Sequence, residues 1–351
     1  MTFAPPRSGS TACDYDAVVI GAGHNGLVTA AYLARAGMST LLVEARADVG
    51  GTAGSEQFAG ATVNICNCDH LTFRTTPVIE ELGLRAHGLE YVDLEPAQHN
   101  FSWASVADGK GWSHHHDLDA TLDDIGRHFP TEVDGYRRYV NTAAPAVRMI
   151  FEAAAEPPTF AGLTKLALRR RFSGASTLMR WSRRSAADVL RSFFDDDAIM
   201  GPAALTGPMV WGISPEMPGS GLGALTHAMR HVASVGRPIG GSGQVPATLL
   251  AAFEGAGGTL RTKSPVDTIM CSGGRVSGIA LADGTEITAA VVVSACNPHD
   301  TFLRWLKHPP ASADDLIRRW RNVRHDEGYE SKIDVVLSAP PVLRGFDRPL
   351  G

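Results

Sequence analysis

The chain has 351 residues, 44% of them hydrophobic and 20% charged, which suits a globular protein long enough to divide into two cores. A formal net charge of -5 with no basic tail excludes a general attraction to nucleic acid, and no nucleic-acid partner is expected. Five cysteines (13, 66, 68, 271, 296) are too few and odd in number for a disulfide scaffold, which points to a reducing compartment. Residues 1–13 read as a flexible leader without a signal-peptide core, and no run approaches the ~18 apolar residues of a spanning helix. The expected location is cytoplasmic.

Asp16-Ala17-Val18-Val19-Ile20 is a short apolar run of the kind buried on both faces of a parallel sheet. It enters Gly21-Ala22-Gly23-His24-Asn25-Gly26, after which Leu27, Ala30, Ala31 and Ala34 recur at helical spacing up to Gly37. Thr40-Leu41-Leu42-Val43 then gives a second strand closed by Glu44, completing a β-α-β unit. Within it Gly21 permits the tight turn, Gly23 the approach of a pyrophosphate, and Gly26 close helix–strand packing. The helix N-terminus offers N–H groups to phosphate, and Glu44 stands at the strand end where a carboxylate binds ribose hydroxyls. That acid disfavours a 2′-phosphate but leaves NAD and FAD both open. Gly50-Gly51-Thr52 supply a second backbone approach beside the same ligand.

The pattern G-A-G-H-N-G-L-x-x-A-x-x-L-A-x-A-G, then V-E, then G-G, resembles the opening of phytoene desaturase-like flavoproteins. The nearest resemblance is to their branch of pyridine nucleotide-disulfide oxidoreductase domain-containing proteins. The resemblance implies FAD, with Gly21, Ala22, Gly23, Asn25 and Gly26 at its pyrophosphate and Glu44 at its ribose. Many such proteins carry arginine where this chain has Thr52, so the expected phosphate contacts there are backbone ones.

From 86 to 238 the character changes. His99–His116 is a mixed, partly aromatic stretch suited to strands of another sheet; helices are expected over Val133–Ala155, near 163–184, and over Ala186–Phe194. Ser185 and Asp188 form a capping-box pattern before the last of these. Pro202, Pro208, Pro215 and Pro218 interrupt the next segment, which resembles the substrate-binding insertion of the family.

The nucleotide domain resumes over 239–299. Gly240-Gly241-Ser242-Gly243 precede a helix bearing Leu249, Leu250 and Phe253, and Thr259-Leu260-Arg261 is a brief strand. Val266–Cys271, Arg275–Leu281 and Thr285–Thr288 read as a meander, followed by a separate buried strand over Val291–Ala295. This order also resembles the flavoproteins, and implies the Val266 backbone at the adenine and Ala295 near the cofactor. The fold implied is α/β: a Rossmann-like FAD/NAD(P)-binding domain, a β-α-β parallel sheet plus β-meander, with an inserted α+β substrate domain. Its first segment spans 14–85 and the insertion 86–238; residues 300–351 continue the substrate domain, including a strand over Ser331–Ser338.

Cys66, Cys68 and His70 lack the second ligand pair of a structural zinc site, so no metal is expected. No residue is assigned as a general base. Lys165, Arg169, Arg170, Arg171, Arg180, Arg183 and Arg184 lie among Leu166, Leu168, Leu178, Met179 and Trp181; they read as a solvated helical face or as peripheral docking on an anionic membrane. The function implied by the resemblance is FAD-dependent removal of hydride from a C–H bond of an apolar small molecule to flavin N5, forming a double bond. Electrons then pass to oxygen, a quinone or another acceptor. An NAD-dependent dehydrogenase and a non-enzymatic flavin-binding scaffold are the alternatives. "APPVLRGFDRPLG" ends the chain before the late glycine-rich segment of the resembled family, so a form lacking that part is expected, with weakened FAD binding.

Overall fold

The computed structural model describes residues 13–66, 69–101, 110–155, 159–169, 173–323 and 332–339. The leader over 1–12, Cys68, Arg170, Arg171 and the terminal segment from 340 lie outside the described residues. Two compact units emerge, one drawn from 1–67, 80–90 and 239–328, the other from 68–79, 91–238 and 329–351.

The first unit is organised by β1 (Tyr15–Ile20), whose Val18 and Val19 are fully buried. Helix α1 (His24–Arg35) returns the chain to β2 (Thr40–Val43), which lies parallel to β1 with Ile20 opposite Val43. α1 turns Gly26, Leu27, Ala30, Ala31 and Ala34 inward, a face of mostly small residues that lets it lie close to its neighbours. It packs against α2 (Gln244–Gly255), which leads to β3 (Thr259–Arg261) on the far side of β2. β4 (Val266–Ser272) and β5 (Arg275–Leu281) form a hairpin closed by Gly273 and Gly274, both at positive φ as a two-residue turn of this hand requires. β6 (Glu286–Ser294) completes a six-stranded sheet of order β4-β5-β6-β1-β2-β3.

Here the structure corrects the sequence reading. The third meander strand and the buried strand expected over Val291–Ala295 are one continuous β6. Its start pairs antiparallel with β5, Ile287 opposite Ile279, while Ala289–Ser294 runs parallel to β1 along the other edge. Ile287 and Ala289 face the core on either side of the change of partner, whereas beyond them Val291 is exposed and 292–294 are half-buried, so this stretch is not the fully buried strand expected.

The second unit is mainly helical, with strand pairs Gln98–Phe101/Gly111–His114 and Tyr91–Asp93/Gly236–Pro238. The long helix Val133–Ala154 contributes Tyr136, Tyr139, Val140 and Val147 to a core that includes Trp112, Ile125, Trp181 and Leu190. Ser185 caps the following helix by accepting from Asp188 N at 3.0 Å. That helix ends at Arg191 rather than Phe194: Phe193 N turns back to Leu190 O at 2.9 Å, a tighter bond than the helix uses, and Phe194 is still buried.

Two further expectations are revised. Residues 300–323 belong to the first unit, not to the second: Trp305 and Leu306, after a π-helical turn at Asp300–Trp305, pack against the sheet core, and Leu306 bridges Ile269. The strand expected over Ser331–Ser338 does not form across 332–337; Ile333 is 86% exposed there, and alternation alone makes no strand without an edge to pair with.

Candidate functional site

The carboxyl end of β1 delivers the chain into the glycine loop. Gly21 sits at φ +93° and its N–H donates to Val43 O at 2.8 Å, tying the loop to β2. A Cβ on Gly21 would lie 2.7 Å from Cys296 Sγ, and one on Gly26 only 1.8 Å from Gly21 O. Gly26 therefore permits the close helix approach expected of it. Gly23 differs: its nearest neighbour would be Gly51 Cα at 3.9 Å, so that side is open.

The second glycine pair lies directly against the first. Gly50 N donates to Ala22 O at 2.8 Å, and Gly51 approaches Gly23 so closely that a Cβ would meet Gly23 Cα at 3.1 Å. Gly23 is the N-cap of α1 and supplies no capping hydrogen bond; the first turn holds no acid. The first amides of a helix have no intrahelical acceptor, so this end presents open N–H groups and the positive dipole pole to an anion.

Glu44 is 9% exposed and its carboxylate is already at work. Oε2 accepts from Ala22 N at 2.8 Å and Oε1 from Arg46 N at 2.9 Å. Its backbone joins the next segments: Glu44 N donates to Arg261 O at 2.9 Å and Ser264 N to Glu44 O at 2.8 Å. Glu44 thus pins the glycine loop, the end of β2 and the approach to β4, where Val266 is buried beside Val43 in the sheet core. Each carboxylate oxygen retains lone-pair capacity beyond the bond it accepts.

Ala295 N donates to Ile20 O at 2.9 Å, and the Ala295 methyl would lie 3.3 Å from a Cβ on Gly26. The structure therefore brings Gly21, Ala22, Gly23, Gly26, Glu44, Gly50, Gly51 and Ala295 together. The side chains of Asn25 and Thr52, on the same loops, are exposed.

Two residues escaped the sequence reading. Cys296 lies against Gly21, its Sγ 3.5 Å from Ile20 O; burial, then the Glu44 and Asp300 carboxylates, push its thiol above the usual range, keeping it protonated near neutrality. His24 follows the N-cap, and its Nδ1 is buried without a hydrogen-bond partner. Its place inside the glycine motif was the available signal. Open helix amides, an uncapped Gly23 and an unpartnered nitrogen at one loop suit a dinucleotide's phosphates. Among the described residues no cluster of histidine, cysteine or acidic side chains is arranged to hold a metal ion.

Residues 26–340 match the family described as flavin containing amine oxidoreductase. The chain belongs to that family. Membership implies FAD as the cofactor. A limonene dehydrogenase chain of Castellaniella defragrans is 30% identical over 298 residues, covering 82% of this chain and 52% of the relative. A lycopene-forming phytoene desaturase of a Paracoccus species is 28% identical over 284 residues, covering 79% and 54%. The chain spans about half the length of these curated relatives. The structure of putrescine oxidase bound to putrescine superposes with a TM-score of 0.58 at 19% identity, covering 87% of this chain and 63% of that one, a likeness of fold. No helix among the described residues is long and apolar enough to cross a membrane.

Proposed function

We propose that this member of the flavin-containing amine oxidoreductase family takes part in FAD-dependent oxidation of a C–H bond in an apolar small molecule. The observation that carries the reading is the double glycine cradle, backbone against backbone at the positive end of α1 with Glu44 at its edge. Gly21, Ala22, Gly23, Asn25 and Gly26 would hold the pyrophosphate, with Gly50, Gly51 and Thr52 on its other side. Glu44 would accept from the ribose hydroxyls, Val266 would stand at the adenine, and Ala295 would close the loop from behind. FAD, when bound, supplies the acceptor for a hydride leaving carbon, while a proton leaves the neighbouring carbon and a double bond forms. Oxygen, a quinone or another acceptor takes the electrons onward.

The apolar substrate class draws support from a limonene dehydrogenase and a phytoene desaturase among the relatives. A lipid surface as its source draws on the helix Phe160–Arg169, where Phe160 (89% exposed), Leu163 and Leu168 stand out beside Lys165 and Arg169. The test is to load the protein with FAD, remove the excess, and release bound cofactor by precipitation for chromatography. FAD recovered from the protein, and bleached anaerobically by an apolar C–H donor such as a monocyclic terpene or an acyclic polyene, is the expected result. Recovery of NAD without flavin, or no FAD binding at saturating concentration, overturns the reading.

A further inference from the structure

The second unit contains a group of titratable side chains that the cofactor site does not use. The His114 ring lies 4.5 Å from that of His227 and 4.4 Å from that of His231, centroid to centroid. Trp112 and Tyr136 pack edge-on to this stack. His114 and His227 are fully buried. The rings come from the strand Gly111–His114, the helix Leu225–Ala228 and the turn Met229–His231. The strand end and the turn also grip each other: His116 Nδ1 bonds Arg230 O at 2.7 Å and His231 Nδ1 bonds His116 O at 3.1 Å.

For a neutral ring, the hydrogen bonds select which nitrogen carries the proton. A carbonyl only accepts, so His231 carries its proton on Nδ1 and its bare Nε2 accepts from Tyr136 O–H at 3.1 Å. That hydroxyl proton being spent, His114 Nε2–H points to the Tyr136 oxygen at 3.5 Å and leaves His114 Nδ1 bare. Thr206 Oγ1 gives its proton to Pro202 O at 2.8 Å, so it accepts from His227 Nδ1–H at 3.1 Å and leaves His227 Nε2 bare. Both bare nitrogens are buried and unpartnered.

Burial keeps all three rings neutral, and the charged groups around them oppose a change. Arg230, itself largely buried, is a cation facing the group; His115 adds to the opposition at His114. Tyr136 and Tyr139 are held protonated by burial, so they bring no negative charge. The carboxylates that reach the group are Asp117, which favours charge on His231, and Asp69, which acts on Arg230. Burial, first among the causes, holds His114 and His227 well below the ordinary histidine range and brings His231 down to about 4. A polar cleft lined by His116, Asp117, Asn141 and Arg148 has His231 on its wall, which gives protons a route to the stack.

We propose that this histidine clasp is an acid-operated release built into the second unit, in which proton uptake by the stack parts residues 114–116 from residues 227–231. The folded rings bind protons less readily than the unfolded chain, so stability is full above the ordinary histidine pKa and is lost as pH falls below it. A ring of unfolded pKa about 6.5 that stays neutral in the fold weakens the folding constant about 20-fold between pH 7 and pH 5, and three such rings on the order of 10⁴-fold.

The test is urea unfolding of the full chain at pH 7 and pH 5, followed by tryptophan fluorescence, since Trp112 and Trp181 are buried in this unit. His114→Gln, His227→Gln and His231→Gln should each remove about 20-fold of the loss between the two pH values. A loss of the same size in all three variants and the parent overturns the proposal. Should a glutamine variant not fold, the imidazole proton resonances of the parent decide. They are expected to hold their neutral positions until the unit opens; a stack histidine titrating near 6.5 in the intact fold refutes the release.

Discussion

Replacing Glu44 by alanine tests the cradle most directly, because one carboxylate holds two backbone amides and stands where we propose the ribose binds. The bonds to Ala22 N (2.8 Å) and Arg46 N (2.9 Å) are both made to an acidic side chain, the stronger class. Such bonds contribute roughly 1.5–3 kcal/mol each, and leaving a buried donor unmade costs about 1–3 kcal/mol. Ala22 is fully buried, whereas Arg46 is exposed and its amide regains water. One bond's worth, about 2 kcal/mol, is therefore the expected loss of stability. FAD affinity should fall about ten- to hundred-fold, as for loss of one bond to a charged group, on top of any loosening of the loop. Glu44→Gln separates the two roles: one amide still meets an oxygen, but the other faces an NH₂ donor, so it should destabilise about as much as alanine. Calorimetric titration with FAD and urea unfolding, run side by side on the three proteins, give both numbers. Unchanged affinity and an unchanged midpoint in Glu44→Ala refute the assignment of the carboxylate to loop and ligand alike.

Three further outcomes are expected. Gly26→Ala should prevent the loop from closing, since its Cβ would fall 1.8 Å from Gly21 O, whereas Gly23→Ala should fold normally and bind FAD at least about ten-fold more weakly; calorimetry with circular dichroism distinguishes them. Asp14, held by Thr288 N and Oγ1 at 2.8 Å, should titrate below the usual carboxylate range in a carbon-detected NMR series, and its help to the fold should persist above that range and vanish as pH falls through its lowered pKa. Vesicles rich in anionic lipid should sediment with the protein in low salt and lose it in about 0.5 M salt, with Phe160→Ser weakening retention; equal retention on neutral vesicles refutes the basic-helix contact.

The glycine cradle was legible because its causes are local. Only glycine tolerates the turn at Gly21 or the helix contact at Gly26, so the residue type announces the geometry. Glu44 was legible as an acid at a strand end, but its bond to Ala22 N was not, since that pairing depends on how far the loop folds back. Residues Thr285–Thr288 and Val291–Ala295 looked like two strands because alternation does not report a change of partner. Ile333, Val335 and Leu337 alternated as a strand does, yet pairing needs an edge that no local pattern encodes. The histidine clasp left least trace: His114, His227 and His231 meet only through the packing of distant elements, and nothing in a run of three histidines shows which one is buried.

The continuity of β6 makes this strand a measuring rod. Asp14 grips Thr288 at one end while Ala295 and Cys296 meet the glycine loop at the other, so the number of residues between them sets where the loop's back wall falls. A single residue inserted between Thr288 and Ala295 would advance that wall by about 3.3 Å and turn its side chains to the opposite face. The same insertion at Gly273–Gly274, upstream of the grip, would lengthen a surface turn and leave the wall in place. Length is thus counted on one side of Thr288 and free on the other.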